Sequence, residues 1–548
     1  LSRRSLISAD RDSPLFRFNR DRNEVIDEVV ERVTREALDR AWQSPSDGLE
    51  YLLNEAAYVE MERLERRTDP DAREERNMWT TIARSMGRAT EEENAERLRT
   101  IVAQFAGATV GHFRPTVFRF ATEILPSGLS YLLSKGMRPD GNSFAALRDR
   151  LVIEGEVGKL RRLAEVGTIV YVPTHSSHLD SILVAWAMHE AKLPAVVYGA
   201  DTNLFAHPMM AFFMANLGAY KVNRERSYRL YRRVLKTYSQ VLIEYGYHSM
   251  FFPAGKRSRL GKVQNELKLG LLSTALEAYT EKVLRGRTDA PVYIVPVTIN
   301  YQLVLEAQTL VEDGLAKESR QRGIIRDDEF TDVRRIAGYV RNCLDLGLTT
   351  TIRFCTPMDV FGNPVDQDGE SLDLQGRHVD PERYLWTDGE PKADPIRDRA
   401  YTRILAGRIG EAFKRNAVMH PLHLVSFALI EHLRRAHPAW TIHRILRFAQ
   451  GDGLSEAVAI GETERLIRLA RKDASEGRFR LSRAAKTQSA AQMLDEVIKI
   501  YAKLDGSPAL ERDGRRLRFQ GTKLLYFYSN RLRGYDLERR LGASPGGY

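Results

Sequence analysis

Residues 166–186 read VGTIVYVPTHSSHLDSILVAW, and this run decides the fold class. Its first part, Val166–Val172, is a short apolar run rich in β-branched residues, which reads as a buried strand. Its last part continues into SILVAWAMHEA and reads as a helix. Two histidines, two serines and an aspartate crowd the turn between them. In open α/β sheets such a strand-to-helix turn lies at the carboxyl edge of the sheet, where ligands bind.

Working outward, the same alternation recurs from about residue 140 to 359. The apolar runs GTIVYVP, LPAVVYGA, SMFFPA, APVYIVPVTI and TTTIRFCTPM are separated by helical stretches at 181–190, 205–217, 227–245 and 264–284. Strands alternating with helices predict an α/β domain with a mostly parallel sheet over 140–400. Within it, the Asp- and Gly-rich stretch near 360–395 reads as an irregular insertion. Residues 1–139 read as helical: Ile26, Val29, Val30, Val33 and Ala37 fall at helical spacing behind Asn23, a candidate N-cap. PSDG at 45–48 and RPDG at 138–141 are turn signals. Residues 401–548 read as mainly helical, with one strand pair near GRFRLS (477–482) and RRLRFQG (515–521). No internal repeat is apparent.

The chain has 548 residues, two cysteines and a formal charge of +10. So few cysteines exclude a disulfide scaffold and fit a reducing, cytosolic setting. From Lys221 to Lys268 twelve Lys or Arg face three Glu, so this window carries most of the excess. Such a window suits nucleic acid, an anionic membrane or a phosphorylated substrate. Its Arg226–Lys236 part reads as a solvated helix face. Few aromatics interleave with the basic loop, which places nucleic acid last. The longest uncharged run, Thr202–Tyr220, has 19 residues, barely enough to span a bilayer. It holds Asn203, His207, Pro208 and Asn216, costly in hydrocarbon. The expected element is a Phe- and Met-rich helix that packs on a core or touches a membrane surface.

No H-E-x-x-H and no Cys/His cluster of zinc spacing is present, so no metal site is expected. GKRSRLGKV (255–263) has one residue too many between its glycines for a phosphate loop, and Val263 where Ser or Thr is needed. His175 and Asp180 remain. On a helix, residues five apart point about 140° away from each other, so they meet only if the chain turns between them. A carboxylate on one ring nitrogen would fix the tautomer and let the other take a proton from a hydroxyl. Ser177 and Asp180 also fit a capping box, which explains both without any chemistry. The loop FFPAGKRSRLGK, Phe251–Lys262, turns at Gly255 and crowds Lys256, Arg257, Arg259 and Lys262 with no acid in the loop. Arginine forks match phosphate oxygens; a solvated basic loop is the alternative.

The order and wording of these segments resemble the glycerolipid acyltransferases with a histidine-x4-aspartate motif. HSSHLD supplies His175, Ser177 and Asp180, in the form used by the glycerol-3-phosphate branch. LGAYKVNRE (217–225) places Arg224 at the family's arginine position, with Asn223 where that branch often has a second arginine. FPAGKRSRLGK supplies Gly255, Lys256, Arg257, Ser258, Arg259 and Gly261, and IVPVTINY (294–301) supplies Pro296. NAVMHPLHLVSFALI and FYSNRL also resemble that branch.

The resemblance implies an α/β acyltransferase core flanked by helical regions. His175 would be the general base and Asp180 its orienting acid. Arg224, Arg257, Arg259 and Lys256 would hold the acceptor phosphate, with Ser258, Ser177, Gly255 and Pro296 in the substrate site. The implied reaction moves a fatty acyl group from acyl-CoA or acyl-carrier protein, as co-substrate, to the sn-1 hydroxyl of glycerol 3-phosphate. That is the first step of phospholipid synthesis, and it needs no bound cofactor or metal. A peripheral place at the cytoplasmic face of a membrane is implied too. Ala254 departs from the pattern: the family has an acceptor-binding Glu there. This leaves open another acceptor, such as dihydroxyacetone phosphate or a lysophospholipid, and a non-catalytic relative that binds anionic lipid.

Overall fold

A computed structural model describes residues 14–43, 48–67, 69–85, 87–120, 148–202, 205, 208–287, 290–319, 333–449, 453–504 and 509–542. The run at 166–186 folds as its pattern predicts. Strand β2 (Thr168–Pro173) is buried along its whole length and leads through the polar turn into a helix at Asp180–Glu190. Burial on both faces explains the unbroken apolar reading of β2 and of β6 (Val292–Tyr301).

These join β1 (Leu151–Gly155), β3 (Val197–Asp201), β4 (Ala219–Val222), β5 (Ser249–Met250) and β7 (Thr350–Phe354) in a seven-stranded sheet. The strand order is β1-β7-β6-β2-β5-β3-β4. Neighbours run parallel except β6 and β7. Thr168 to Pro173 pair in register with Val292 to Val297. The carboxyl ends of β2, β5, β3 and β4 therefore share one edge. β1 and β4 escape a reading of apolar runs because they are short and carry Glu154 and Lys221.

The helices used below are α1 (Phe18–Gln43), α2 (Leu49–Glu65), α3 (Pro70–Ser85), α4 (Glu91–Thr109), α5 (Asp180–Glu190), α6 (Pro208–Asn216), α7 (Arg229–Glu244), α8 (Leu269–Leu284), α9 (Ala307–Glu318), α10 (Pro421–Ala436) and α11 (Thr522–Ser529). The N-terminal region is helical as expected, with Val25, Val29 and Val33 buried. Asn23 is not its N-cap. A 3-10 turn at Pro14–Arg17 starts the helix earlier, at Phe18, because Leu15 and Phe18 are both buried. RPDG at 138–141, the boundary at 139/140 and most of PSDG lie outside the described residues.

The Arg226–Lys236 stretch is solvated only in part: Arg229 and Arg232 are exposed, and the opposite face of α7 is core. Tyr228, Tyr231, Val234 and Tyr238 join α1–α4 in one core. Arg226, just before α7, is half-buried against Glu75, 2.8 Å away, and Lys236 pairs with Glu277 of α8 at 2.7 Å. Acids from distant elements neutralise charges that look exposed in the sequence.

The 360–395 insertion contains a repeat, contrary to expectation. Asp359, Asp366 and Asp373 each accept from the backbone N–H two and four residues on, at 2.8–2.9 Å. Gly362, Gly369 and Gly376 follow three residues after each, all at positive φ. The D-x-x-G unit recurs every seven residues, and the other positions of the repeat vary. The expected C-terminal strand pair is also corrected. Arg480–Leu481 runs parallel to Val418–Met419, and Arg516–Phe519 pairs with Leu510–Asp513.

Candidate active site

Asp180 opens α5 and is wholly buried. A buried carboxylate is tolerable only when donors surround it. Its Oδ2 accepts from Ser176 N at 2.6 Å and Ser177 N at 3.0 Å and meets His175 Nδ1 at 2.8 Å. Its Oδ1 accepts from the Tyr301 hydroxyl at 2.6 Å. Burial beside Asp180 holds the Tyr301 phenol well above its ordinary pKa, so it stays a donor. The irregular chain at 174–177 supplies the reversal that the five-residue spacing demands. With Asp180 on Nδ1, the imidazole leaves Nε2 as the proton acceptor. The ring is 16% exposed and stacks on Phe252 at 4.2 Å. It is thus held from one side and accessible from another.

The capping reading is half right. Asp180 does reach back to the N–H of Ser177, but the helix begins at Asp180 itself. The Ser177 hydroxyl accepts from Leu179 N at 3.1 Å and donates to Glu306 Oε2 at 2.7 Å. Glu306, just past β6, is buried; its Oε1 accepts from His178 N at 2.9 Å and faces Arg257 Nη1 at 3.4 Å. It ties the His175 turn to the basic loop, and nothing in its sequence context marks it.

The basic loop is stitched to His175 through backbone. Ser258 N donates to His175 O at 2.8 Å. Gln264 accepts from His175 N and donates to Lys256 O, each at 2.8 Å. Gly255 (φ +69) closes the turn by donating to Phe252 O, and a Cβ there would come within 2.9 Å of Lys268. Gly261 (φ +75) lies so near Phe527 that a Cβ would sit 2.2 Å from its carbonyl oxygen.

The charge reading of this loop needs correction. No acid lies in the loop itself, but two come from beyond β6. Arg257 pairs with Glu306, and Arg259 Nε lies 2.6 Å from Asp313 of α9. The Ser258 hydroxyl donates to Lys262 O at 2.8 Å. Lys256 and Lys262 are exposed, and among the described residues no carboxylate pairs with either. Arg224 lies past β4 with Nε 2.7 Å from Asp201 Oδ2. It shares the sheet edge with His175, but β4 stands three strands from β2, roughly 14 Å by strand spacing. Pro296 is inside β6 beside Val172, its carbonyl accepting from Cys355 N at 2.9 Å. It belongs to the sheet floor rather than to the turn.

Residues from the C-terminal region meet the same turn. Ser176, Ser258, Tyr301, His423, Tyr528 and Arg531 line one cavity there. A larger cavity of about 680 Å³ lies past β7, beside Arg353 and Arg480, but no residue of the matched blocks lines it. Chemistry rather than volume locates the site. Among the described residues no group of three or more His, Cys, Asp or Glu is placed to hold a metal, and no helix is long and apolar enough to cross a membrane.

Comparison with known proteins agrees with this location. Residues 155–300 match the family model described as Acyltransferase. The chain is 25% identical over 390 residues to the glycerol-3-phosphate acyltransferase of Pseudomonas paraeruginosa (strain DSM 24068 / PA7), covering 69% of this chain and 41% of that protein. It is 34% identical over 171 residues to the enzyme of that name from Pasteurella multocida (strain Pm70), covering 30% of this chain and 20% of the relative. The match to the Histophilus somni (strain 129Pt) enzyme is 32% over 171 residues, with the same coverage. The aligned region thus spans about two fifths of the Pseudomonas relative's length or less. The resemblance carried by the four sequence blocks is borne out.

Proposed function

We propose that the chain transfers a fatty acyl group from an acyl thioester to the sn-1 hydroxyl of glycerol 3-phosphate. The observation that carries this reading is the contact of His175 Nδ1 with buried Asp180 at 2.8 Å, inside the matched region. Nε2 of His175 takes the hydroxyl proton as the acceptor oxygen attacks the thioester carbon. The tetrahedral adduct collapses, the carbon–sulfur bond breaks, and the imidazolium returns the proton to the departing thiolate. Asp180 stabilises that imidazolium in a site where Tyr301 and two backbone N–H groups hold its charge in place. The basic loop and Arg224 supply cations for the acceptor phosphate. No bound cofactor enters the scheme, and acyl-CoA or acyl-carrier protein serves as donor.

We place the reaction at a membrane surface, at its cytoplasmic face. Support comes from Phe212 of α6, 51% exposed, next to Phe213, which stacks on Phe120 at 6.2 Å. Ala254 supports a second reading, acylation of another phosphorylated acceptor. It is partly exposed on the Phe252–Gly255 turn, where the family's Glu would stand.

The test is thiol release from palmitoyl-CoA with glycerol 3-phosphate, dihydroxyacetone phosphate, a lysophospholipid or no acceptor. Release dependent on glycerol 3-phosphate supports the main reading. Release dependent on another acceptor transfers the assignment to it. Lipid binding without any release would make the chain a non-catalytic relative.

A further inference from the structure

The mechanism above leaves one buried charge unused. Arg531 lies just past α11, in the FYSNRL segment, and is 8% exposed. A guanidinium in such a place almost always has a carboxylate partner. Among the described residues Arg531 has none. Its Nη2 donates to the side-chain oxygen of Asn300 at 2.6 Å, and its Nε has no hydrogen-bond partner. Asn300 is itself fixed, since its oxygen also accepts from Val418 N at 2.9 Å. The next residue, Tyr301, is the one that donates to Asp180.

The surroundings of Arg531 account for its charge. It opens onto the cavity lined by Ser176, Ser258 and Tyr301, all one step from the His175–Asp180 pair. Two carboxylates are buried there, Asp180 on α5 and Glu306 beyond β6. Glu306 has Arg257 facing it from the basic loop. Asp180 has only neutral donors and the ring of His175. The charged groups of α10 and α11 are engaged elsewhere: Glu431 pairs with Arg434 and Arg533, His432 and Arg435 meet Glu462, and Lys523 meets Glu312. The titratable groups beside Arg531 are uncharged: burial drives His420, just before α10, down to about 4 and His423 well below its ordinary range, and burial raises the Tyr528 phenol. Tyr535 is likewise a buried phenol, raised by burial. Among the described residues Arg531 is thus the buried cation of this cavity that no carboxylate pairs with, whereas Lys256 and Lys262 of the loop are exposed.

We propose that Arg531 is a positioning residue of the acyl-transfer site: a buried guanidinium, supplied by the C-terminal region, that balances Asp180 and keeps His175 unprotonated and ready to accept a proton. Burial weakens the hold of Arg531 on its proton, and Tyr535 and then Asp180 strengthen it. The logic is electrostatic. A buried carboxylate favours the charged form of a neighbouring imidazole, the form that cannot accept a proton. A second cation sharing the field of Asp180 opposes that. The role of this residue in transfer rests on the function proposed above, but its effect on His175 does not.

The test reads His175 directly. Carbethoxylation by diethyl pyrocarbonate reports neutral imidazole, and His175 is measured as the difference between each protein and its His175→Ala counterpart. Arg531→Met fills the volume without charge, a replacement that buried ions often tolerate. Arg531→Gln is a second neutral variant of different shape, and Arg531→Lys retains the charge. In both neutral variants the titration midpoint of His175 rises by roughly half to one and a half pH units, the size expected for one charge within about a nanometre in a protein interior. The Lys variant titrates like the wild type. The acid limb of kcat/KM for thiol release moves with the midpoint. Neutral variants that melt earlier or turn over more slowly, with the His175 midpoint unmoved, would reduce Arg531 to a structural brace and overturn the proposal. A shifted midpoint in a chain that shows no acceptor-dependent thiol release would overturn the function and leave the role of Arg531 standing.

Discussion

Glu306 and Ser177 are joined by a hydrogen bond of 2.7 Å across the turn that holds His175, although 129 positions separate them. The carboxylate closes the site from below, taking His178 N on its other oxygen and facing Arg257. Glu306→Ala leaves a hydroxyl, an N–H and a guanidinium without their acceptor. Hydrogen bonds to buried charged groups contribute about 1.5–3 kcal/mol each. The expected outcome is a loss of about 3 kcal/mol or more in denaturant unfolding, together with lost activity. Glu306→Gln keeps an acceptor for His178 N and should recover part of the stability. Equal stability of both variants and wild type would show that the bridge is idle.

The His175–Asp180 pair gives a sharper expectation. His175→Ala removes the proton acceptor, and general-base catalysis contributes about 10²–10⁴-fold. Asp180→Asn keeps the size of the side chain but removes the charge that stabilises imidazolium. Both variants should bind acyl-CoA normally and fail in transfer, measured as kcat in the thiol-release assay. A rate within tenfold of wild type for His175→Ala would exclude this residue as the base.

Much of this was legible in the sequence, and the remainder has physical reasons for being hidden. β2 and β6 announce themselves because both faces are buried, and the turn at 174–179 is conspicuous because polar residues interrupt that apolar frame. The short edge strands β1 and β4 have no such signature. Glu306, in the turn before α9, and Asp313, on α9, carry no distinguishing sequence context, and only the fold brings them to Arg257 and Arg259. Composition of a loop cannot report acids that arrive from 49 residues away. Nothing in the spacing around Arg531 signals its burial, which comes from packing across the fold.

Acid should destabilise the folded chain through buried histidines other than His175. Burial holds His248 and His420 near a pKa of about 4, and His248 Nδ1 accepts from Ile169 N at 3.1 Å. The unfolded chain titrates them near 6.5. Between these values the unfolded state binds protons that the folded state refuses, so stability is full above about 6.5 and falls as pH drops toward 4. Each histidine should cost about 2 kcal/mol by pH 5, on the order of the shift times the linkage slope. Urea unfolding at pH 7 and pH 5 measures it. His248→Asn, which keeps an acceptor for Ile169 N, should flatten its share of the slope, and an unchanged slope would remove His248 from the account.

Arg259 is paired with Asp313 of α9. If the acceptor phosphate takes this guanidinium, it must displace that carboxylate. Asp313→Asn therefore lowers KM for the phosphorylated acceptor by a few-fold while leaving KM for acyl-CoA unchanged. Arg259→Ala acts in the opposite direction on the same constant. A charge-assisted contact is worth about 1.5–3 kcal/mol, or roughly 10- to 150-fold. Equal changes in both KM values would mean that the pair only braces the loop against α9.

Ala254 sets the last expectation. It lies between Pro253 and Gly255 on the turn that Gly255 N closes on Phe252 O at 3.0 Å. Phe252 stacks on His175, so a longer side chain at 254 would start from the rim of the catalytic turn. Among the described residues the buried acid that meets the basic loop is Glu306, which is already engaged by Ser177, His178 and Arg257. It is not available to recognise the middle hydroxyl of a glycerol. A site without that contact does not penalise an analogue that lacks the hydroxyl. Wild type should therefore discriminate weakly between glycerol 3-phosphate and dihydroxyacetone phosphate, which differ at that carbon. Ala254→Glu should restore the acceptor and raise the ratio of their kcat/KM values at least tenfold. A wild-type ratio already near 10⁴, the level of a site built around that hydroxyl, would mean that another residue fills the role.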